Sequence, residues 1–139
     1  MASAVPTLRL LWRIGAGLVG FVVVEVATTL GFTPLGGIIQ VTMPLRIHVL
    51  ATLVAIVAGL LGGSAATLAG GGVSLLPVGI TAGIIAVESS YIIAYHRGAN
   101  PAWFELFGAA TLFGATVAGG LLIRHMAVAR RTASTNSAT

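Results

Sequence analysis

Four long apolar runs dominate the chain, and short segments rich in Gly, Pro or polar residues separate them. The runs cover about residues 10–30, 45–68, 73–95 and 102–123. Each is close to the roughly 20 residues that a helix needs to cross about 30 Å of hydrocarbon. Their length and their lack of apolar–polar alternation favour helices over strands. Because lipid offers no partner to free backbone polar groups, the pattern predicts four transmembrane helices.

The connections between the runs differ in kind. Residues 31–44 are apolar but contain Pro34, Pro44 and three glycines, so they predict an irregular first outer loop that lies at the membrane surface or folds back onto the bundle. Residues 69–72 (AGGG) predict a tight turn, and hence a second and third helix that are antiparallel neighbours. Residues 96–101 predict a short polar loop.

These elements together predict the domain organisation. We expect an all-α protein, an integral membrane four-helix bundle, as a single domain over residues 1–131. Residues 132–139 (TASTNSAT) form a polar C-terminal tail in this prediction. The first run has features of a signal peptide, with Arg9 and Arg13 as an n-region and Ile14–Val24 as an h-region, but Glu25 follows without a small-x-small cleavage site. We therefore expect this run to remain as an uncleaved span.

Composition points to the same class. Hydrophobic residues make up 57% of the chain and charged residues 7%, against roughly 25% charged in a soluble globular protein. Ten charged residues are too few to cover the surface of a water-soluble protein of this size. We therefore predict that the protein lies in a lipid bilayer. The chain contains no Lys, Asp or Cys, which excludes a Schiff-base lysine, an aspartyl-phosphate and a thiolate nucleophile. We expect no catalytic residues and no enzymatic activity.

The arginines predict an orientation. All seven basic residues are Arg, and five of them flank the two termini, whereas only Arg46 and Arg97 lie in the intervening loops on the opposite side. The positive-inside rule then places both termini in the cytoplasm of a multi-pass protein, most simply in a bacterial inner membrane. Arginines at the ends of apolar runs are topology determinants, so we expect no nucleic-acid partner.

Small residues spaced four apart recur along the helices. Such pairs let two helices approach closely. They predict tight packing inside the bundle and, on the outward faces, a homo-oligomer or association with other membrane subunits. The pairs are Ala16/Gly20, Gly59/Gly63, Gly62/Ala66, Gly79/Gly83 and Ala115/Gly119.

The three carboxylates sort to one side of the predicted membrane. In the topology above, Glu25, Glu88 and Glu105 all lie roughly 6–11 Å below the outer boundary. A carboxylate in hydrocarbon costs a few kcal/mol, so these side chains should face the bundle interior or water. Tyr91 and Tyr95 follow Glu88 on one stripe of the third helix. The pattern predicts an ion, proton or ligand site in the outer half of the bundle.

Other ionisable groups fall on the same side. Arg46 and His48 begin the second helix, and His96 and Arg97 end the third. Three interpretations stay open. In the first, the carboxylates form ion pairs with these cations and have a structural role. In the second, Glu25 and Glu88 form the titrating site of a small cation- or proton-coupled transporter. In the third, His48 and His96 ligate a haem, a pigment or a metal. The sequence identifies no particular cofactor. The leading hypothesis is a small polytopic membrane protein that acts as an oligomer or as a subunit of a larger membrane complex.

One segment resembles a known family. Val24–Leu35 (VEVATTLGFTPL) is similar to the first-helix motif of small multidrug resistance transporters, and Val117–Ile123 (VAGGLLI) is similar to their Gly-rich last helix. The resemblance implies a four-helix fold and a role for Glu25 as the carboxylate that binds protons and substrate. The Lys that follows the motif in that family is absent here.

Overall fold

A computed structural model describes residues 4–95 and 100–136 of the chain. Four helices, α1 to α4, and one short 3-10 turn make up the regular structure of these residues, without a strand. The elements are α1 (Ala4–Phe32), the 3-10 turn (Thr33–Leu35), α2 (Leu45–Ala69), α3 (Leu76–Tyr95) and α4 (Ala102–Asn136). All four helices are long and apolar enough to cross a membrane. The prediction of an all-α, multi-pass membrane protein is therefore confirmed.

Two helices extend beyond the apolar runs. Helix α1 begins at Ala4, ahead of the run that starts near residue 10, and it includes Pro6 in its first turns, where proline removes no helical hydrogen bond. Helix α4 continues to Asn136, so it includes much of the segment expected to be a polar tail. Hydropathy marks the part of a helix that lies in lipid, whereas the helical hydrogen bonds continue past that boundary.

The helices form a ring in the order α1, α2, α4, α3. Helix α2 packs mainly on α1 and α4, and α3 packs on the same two helices. Helices α2 and α3, although joined by a short turn, contact each other less than either contacts α1 or α4. Helices α2 and α3 are antiparallel and in contact, but they lie diagonally across the ring. The physical reason is that the small residues of α2 face α1 and α4.

This arrangement gives the bundle two chemically different ends. Helices α1 and α3 run parallel, and so do α2 and α4, so both termini of the described chain are at one end. The carboxylate end contains Glu25, Glu88 and Glu105. The arginine end contains Arg9, Arg13, Arg124, Arg130 and Arg131.

Glycines bring α2 into backbone contact with α4. A Cβ added to Gly59 would lie 2.7 Å from the Cβ of Ala115, and one added to Gly63 would collide with the carbonyl oxygen of Thr116. On the other side of α2, a Cβ on Gly62 would collide with Val24 of α1. Small residues therefore build the core. Most large apolar side chains lie on the outside, where they suit lipid.

Buried threonines supply polar contacts between the helices. The Thr81 hydroxyl donates to the carbonyl oxygen of Gly17 at 2.8 Å, which joins α3 to α1. The Thr67 hydroxyl donates to the Gly63 carbonyl oxygen at 2.9 Å and lies 3.4 Å from that of Gly120. Every buried side-chain nitrogen and oxygen of the described residues has a partner. Such bonds fix helix register where no water competes.

The loop between α1 and α2 folds over the carboxylate end. Gly36 and Gly37 have φ values of 99° and 77°, a left-handed conformation that glycine adopts without strain. The Gly37 amide donates to the Phe32 carbonyl oxygen at 2.9 Å, which turns the chain back at the end of α1. Pro44 then precedes the first residue of α2. The loop thereby closes over the space between the helices.

Candidate functional site

A cavity of about 770 Å³ lies at the carboxylate end, between the four helices and beneath the first loop. Its walls are mostly apolar, with aromatic and aliphatic side chains from the loop and all four helices. A smaller set of polar groups also lines it. The polar lining residues are Thr28, His48, Thr52, Ser89, Tyr95, Asn100, Glu105 and Thr111. A largely apolar cavity with a few polar groups is typical of a site for a small molecule.

Glu105 is the acidic residue of this cavity. It lies in the first turn of α4, where the helix dipole favours a negative charge, and it is half-buried. The Asn100 side-chain amide donates to Glu105 Oε1 at 2.7 Å. Among residues 4–95 and 100–136, Glu105 forms no ion pair with an Arg or a His. Its charge is therefore held in place without being neutralised by these residues.

Asn100 connects the carboxylate to the first loop. Its Nδ2 also donates to the carbonyl oxygen of Ile39 at 2.9 Å, and its Oδ1 accepts from the amide of Val41 at 2.9 Å. One side chain thus holds both the loop and Glu105. Asn100 was not among the residues that the sequence predicted for this site. The Asn-Pro pair at residues 100–101 was the available signal, since this pair marks a turn before a helix.

Replacing Asn100 with alanine should release the first loop. The loop amide and carbonyl at Val41 and Ile39 lose their side-chain partner, which costs about 1 kcal/mol of folding free energy. We expect faster hydrogen exchange at residues 38–42 in detergent, with little change along α2. Ser90→Ala is the control, because the Ser90 hydroxyl donates to the Ala86 carbonyl oxygen of its own helix. Unchanged exchange in the loop of the Asn100 variant would contradict this role.

His48 lines the same cavity from α2. Its Nε2 lies 3.1 Å from the carbonyl oxygen of Gln40, and its ring meets Phe104 edge-on at 5.4 Å. Because a carbonyl oxygen only accepts, Nε2 carries the proton in this contact, and Nδ1 is an acceptor in the neutral ring. His96, its partner in the cofactor hypothesis, lies outside the described residues. Within residues 4–95 and 100–136, no group of three or more His, Cys, Asp or Glu side chains is placed to hold a metal ion.

The other two carboxylates lie elsewhere at the same end. The contact of Thr81 with Gly17 aligns α1 and α3 so that Glu25 and Glu88 are at one height, within electrostatic range of each other. Glu25 is half-buried and Glu88 is exposed, and neither lines the cavity. The three carboxylates therefore share one end of the bundle, but only Glu105 lies in the cavity, whereas Glu25 on α1 and Glu88 on α3 lie outside it.

The remaining predicted residues surround these two places. The rings of Tyr91 and Tyr95 are 4.7 Å apart, and Tyr95 also lines the cavity. Arg46 is exposed in the first turn of α2. Among the described residues, neither Arg46 nor His48 forms an ion pair with a carboxylate. Arg97 lies outside the described residues.

The fold and the cavity define the class of this protein, a small membrane protein with four spans and an amphiphilic cavity at one end. No protein-family model, no curated protein and no solved structure matches the chain. The similarity to small multidrug resistance transporters is thus limited to the two short segments Val24–Leu35 and Val117–Ile123.

Proposed function

We propose that this protein binds an amphiphilic molecule with a cationic group in the cavity beside Glu105, and that its role is carriage of that molecule rather than catalysis. One observation carries the proposal: a half-buried carboxylate stands in a largely apolar cavity of about 770 Å³. A carboxylate removed from water favours a cationic partner, and apolar walls accept the hydrocarbon part of the same molecule.

The position of the cavity supports entry from the bilayer. Its lining includes Ile92, Phe107 and Gly108, which are exposed and lie within membrane-spanning helices. A Cβ added to Gly108 would meet no atom within 4 Å. This side of the cavity is open along membrane-spanning helices, so we expect lipid to reach it. A molecule that partitions into the membrane can therefore reach Glu105 without crossing the first loop.

A pair of matched ligands tests the proposal. Dodecylamine and dodecanol share one hydrocarbon chain, and only the amine is a cation at neutral pH. Titration of the protein in phosphatidylcholine nanodiscs should give an affinity for the amine at least about tenfold higher, because a charge-assisted hydrogen bond adds about 1.5–3 kcal/mol. Empty nanodiscs correct for partitioning into lipid. Equal affinities for the two ligands would refute a cation site.

We also propose that transport of the amphiphilic molecule is coupled to the binding of a cation or a proton, and that Glu25 and Glu88 are the groups that bind it. Their placement within electrostatic range of each other supports it. Two neighbouring carboxylates in a membrane repel each other, and a bound cation or proton relieves that repulsion.

Assembly is a second candidate role, favoured by one face of α3. A Cβ added to Gly79 or Gly83 would meet no atom within 4 Å, and both residues are exposed. A face of small residues that packs on no helix of its own chain suits a second copy or another membrane subunit. We therefore propose a homo-oligomer or a larger membrane complex. The mass of the intact particle in mild detergent tests this, and a lone 14.0 kDa chain would argue against it.

The proposed location follows from the charge difference between the two ends. Five arginines are at the arginine end, and all three glutamates are at the opposite end. We place the arginine end, with both termini, in the cytoplasm of a bacterium. The cavity then opens in the outer half of the inner membrane.

A further inference from the structure

A second concave surface lies at the arginine end. A groove of about 900 Å³ runs between the first turns of α1 and the turn that joins α2 to α3. Arg9 and Arg13 line it together with apolar side chains and the backbone of residues 69–71. Trp12 also lines the groove, and its indole N–H donates to the Ala69 carbonyl oxygen at 2.9 Å. This bond attaches the first part of α1 to the last residue of α2.

The charge in this groove is uncompensated by acidic side chains. Arg9 and Arg13 are four residues apart, which places both on one face of α1, and both are exposed. The three acidic side chains of the chain are all at the carboxylate end. Two arginine side chains thus share one face of α1 along the groove. Guanidinium groups bind phosphate oxygens well because they donate several hydrogen bonds in one plane.

The floor of the groove continues toward the membrane interior. Gly15, Ala16 and Val19 follow Arg13 along α1 and line the same groove. A Cβ added to Gly15 would meet no atom within 4 Å, so the floor is open there. Each residue along the helix adds about 1.5 Å of depth, so Val19 lies about 9 Å deeper than Arg13. The groove therefore combines a cationic end with an apolar floor that extends along the membrane-spanning part of α1.

We infer that this groove binds an anionic phospholipid. Its phosphate lies against Arg9 and Arg13, and one acyl chain runs over Gly15 and Val19. Charge complementarity identifies the headgroup, because a zwitterionic lipid carries no net charge to match two arginines. The apolar floor identifies a lipid rather than free phosphate, since inorganic phosphate has nothing to place there. This inference does not depend on the cavity at the carboxylate end.

Native mass spectrometry of the delipidated full chain in mild detergent tests the inference. Phosphatidylglycerol and phosphatidylcholine with identical acyl chains are added in separate titrations. The double variant Arg9→Gln/Arg13→Gln should bind phosphatidylglycerol about tenfold or more weakly, because each basic residue near the surface adds to the attraction for an anionic headgroup. The matched control is Arg124→Gln/Arg130→Gln, which removes the same charge from the same end. The control should keep wild-type affinity.

A second variant separates the groove from charge alone. Gly15→Leu keeps both arginines and fills the apolar floor at an exposed helical position, so it should fold and yet bind phosphatidylglycerol several-fold more weakly. Three results would overturn the inference: equal loss in the two arginine pairs, equal binding of phosphatidylcholine, or displacement of the lipid by inorganic phosphate. Circular dichroism confirms that each variant is folded before the titrations are compared.

Discussion

Replacing Gly63 with alanine is expected to destabilise the bundle by about 1–3 kcal/mol, although it adds a single methyl group. That methyl group would collide with the Thr116 carbonyl oxygen and lie 2.9 Å from the Gly120 amide nitrogen. Both are backbone atoms of α4, so no side chain can rotate away. The two helices must separate instead, and the contacts between α2 and α4 along the whole seam weaken.

The matched control for this change is Gly114→Ala. A Cβ on Gly114 would meet no atom within 4 Å. Alanine is the better helix former by about 1 kcal/mol in a helix interior, so this variant should be as stable as the wild type or slightly more stable. The folded fraction is followed by circular dichroism during titration with a denaturing detergent. If the two variants lose equal stability, the close approach of α2 and α4 at Gly63 is not real.

The second large effect concerns the cavity. Glu105→Gln is expected to lower the affinity for dodecylamine by about ten- to a hundredfold, because the charge-assisted hydrogen bond to the ammonium group is lost. Glutamine keeps a side-chain oxygen that accepts from Asn100, so the first loop should stay in place. The affinity for dodecanol should not change. Titration in nanodiscs, with hydrogen exchange of the loop as a check on folding, measures both quantities.

Arg46→Gln is the control for the charge itself. Arg46 lies at the same end of the bundle and is exposed, but it does not line the cavity. Removing its charge should leave the affinity for dodecylamine within about twofold of the wild type, since exposed charges outside the site act weakly through solvent and salt. A gain of affinity in the Arg46 variant as large as the loss in the Glu105 variant would show that the amine responds to the net charge of the whole end of the bundle. The cavity would then hold no specific cation site.

Much of the architecture was predictable from local composition. Each run of about 20 apolar residues became a membrane-spanning helix, because burial of apolar side chains in lipid and satisfaction of the backbone both act within one segment. The placement of Glu25, Glu88 and Glu105 at one end also followed, since it depends only on helix direction and residue position. Helix ends were less accurate. Helix α4 continues to Asn136 because helical hydrogen bonds need no apolar side chains.

The division of the carboxylates was not predictable in this way. Which side chains of a helix point inward depends on how the helix is rotated about its own axis. Successive side chains point about 100° apart around that axis, so a small rotation changes which residue lines a cavity. Glu105 lines the cavity because α4 packs on α2 and α3, whereas Glu25 on α1 and Glu88 on α3 lie outside it. Asn100 gained its importance only when residues 39–41 of the first loop came within reach of its side chain.

Two glycine pairs show what the sequence determines and what only the tertiary structure decides. Gly59/Gly63 and Gly79/Gly83 have the same spacing in equally apolar helices, so the sequence by itself determined only that both pairs allow close approach. The tertiary structure places the first pair against the backbone of α4 and leaves the second pair exposed on α3. Hydropathy decides whether a segment enters the membrane, because the free energy of transfer into lipid is the sum of contributions from the residues of that segment. The partner of each helix face depends on contacts between residues distant in the chain, and no local pattern contains them.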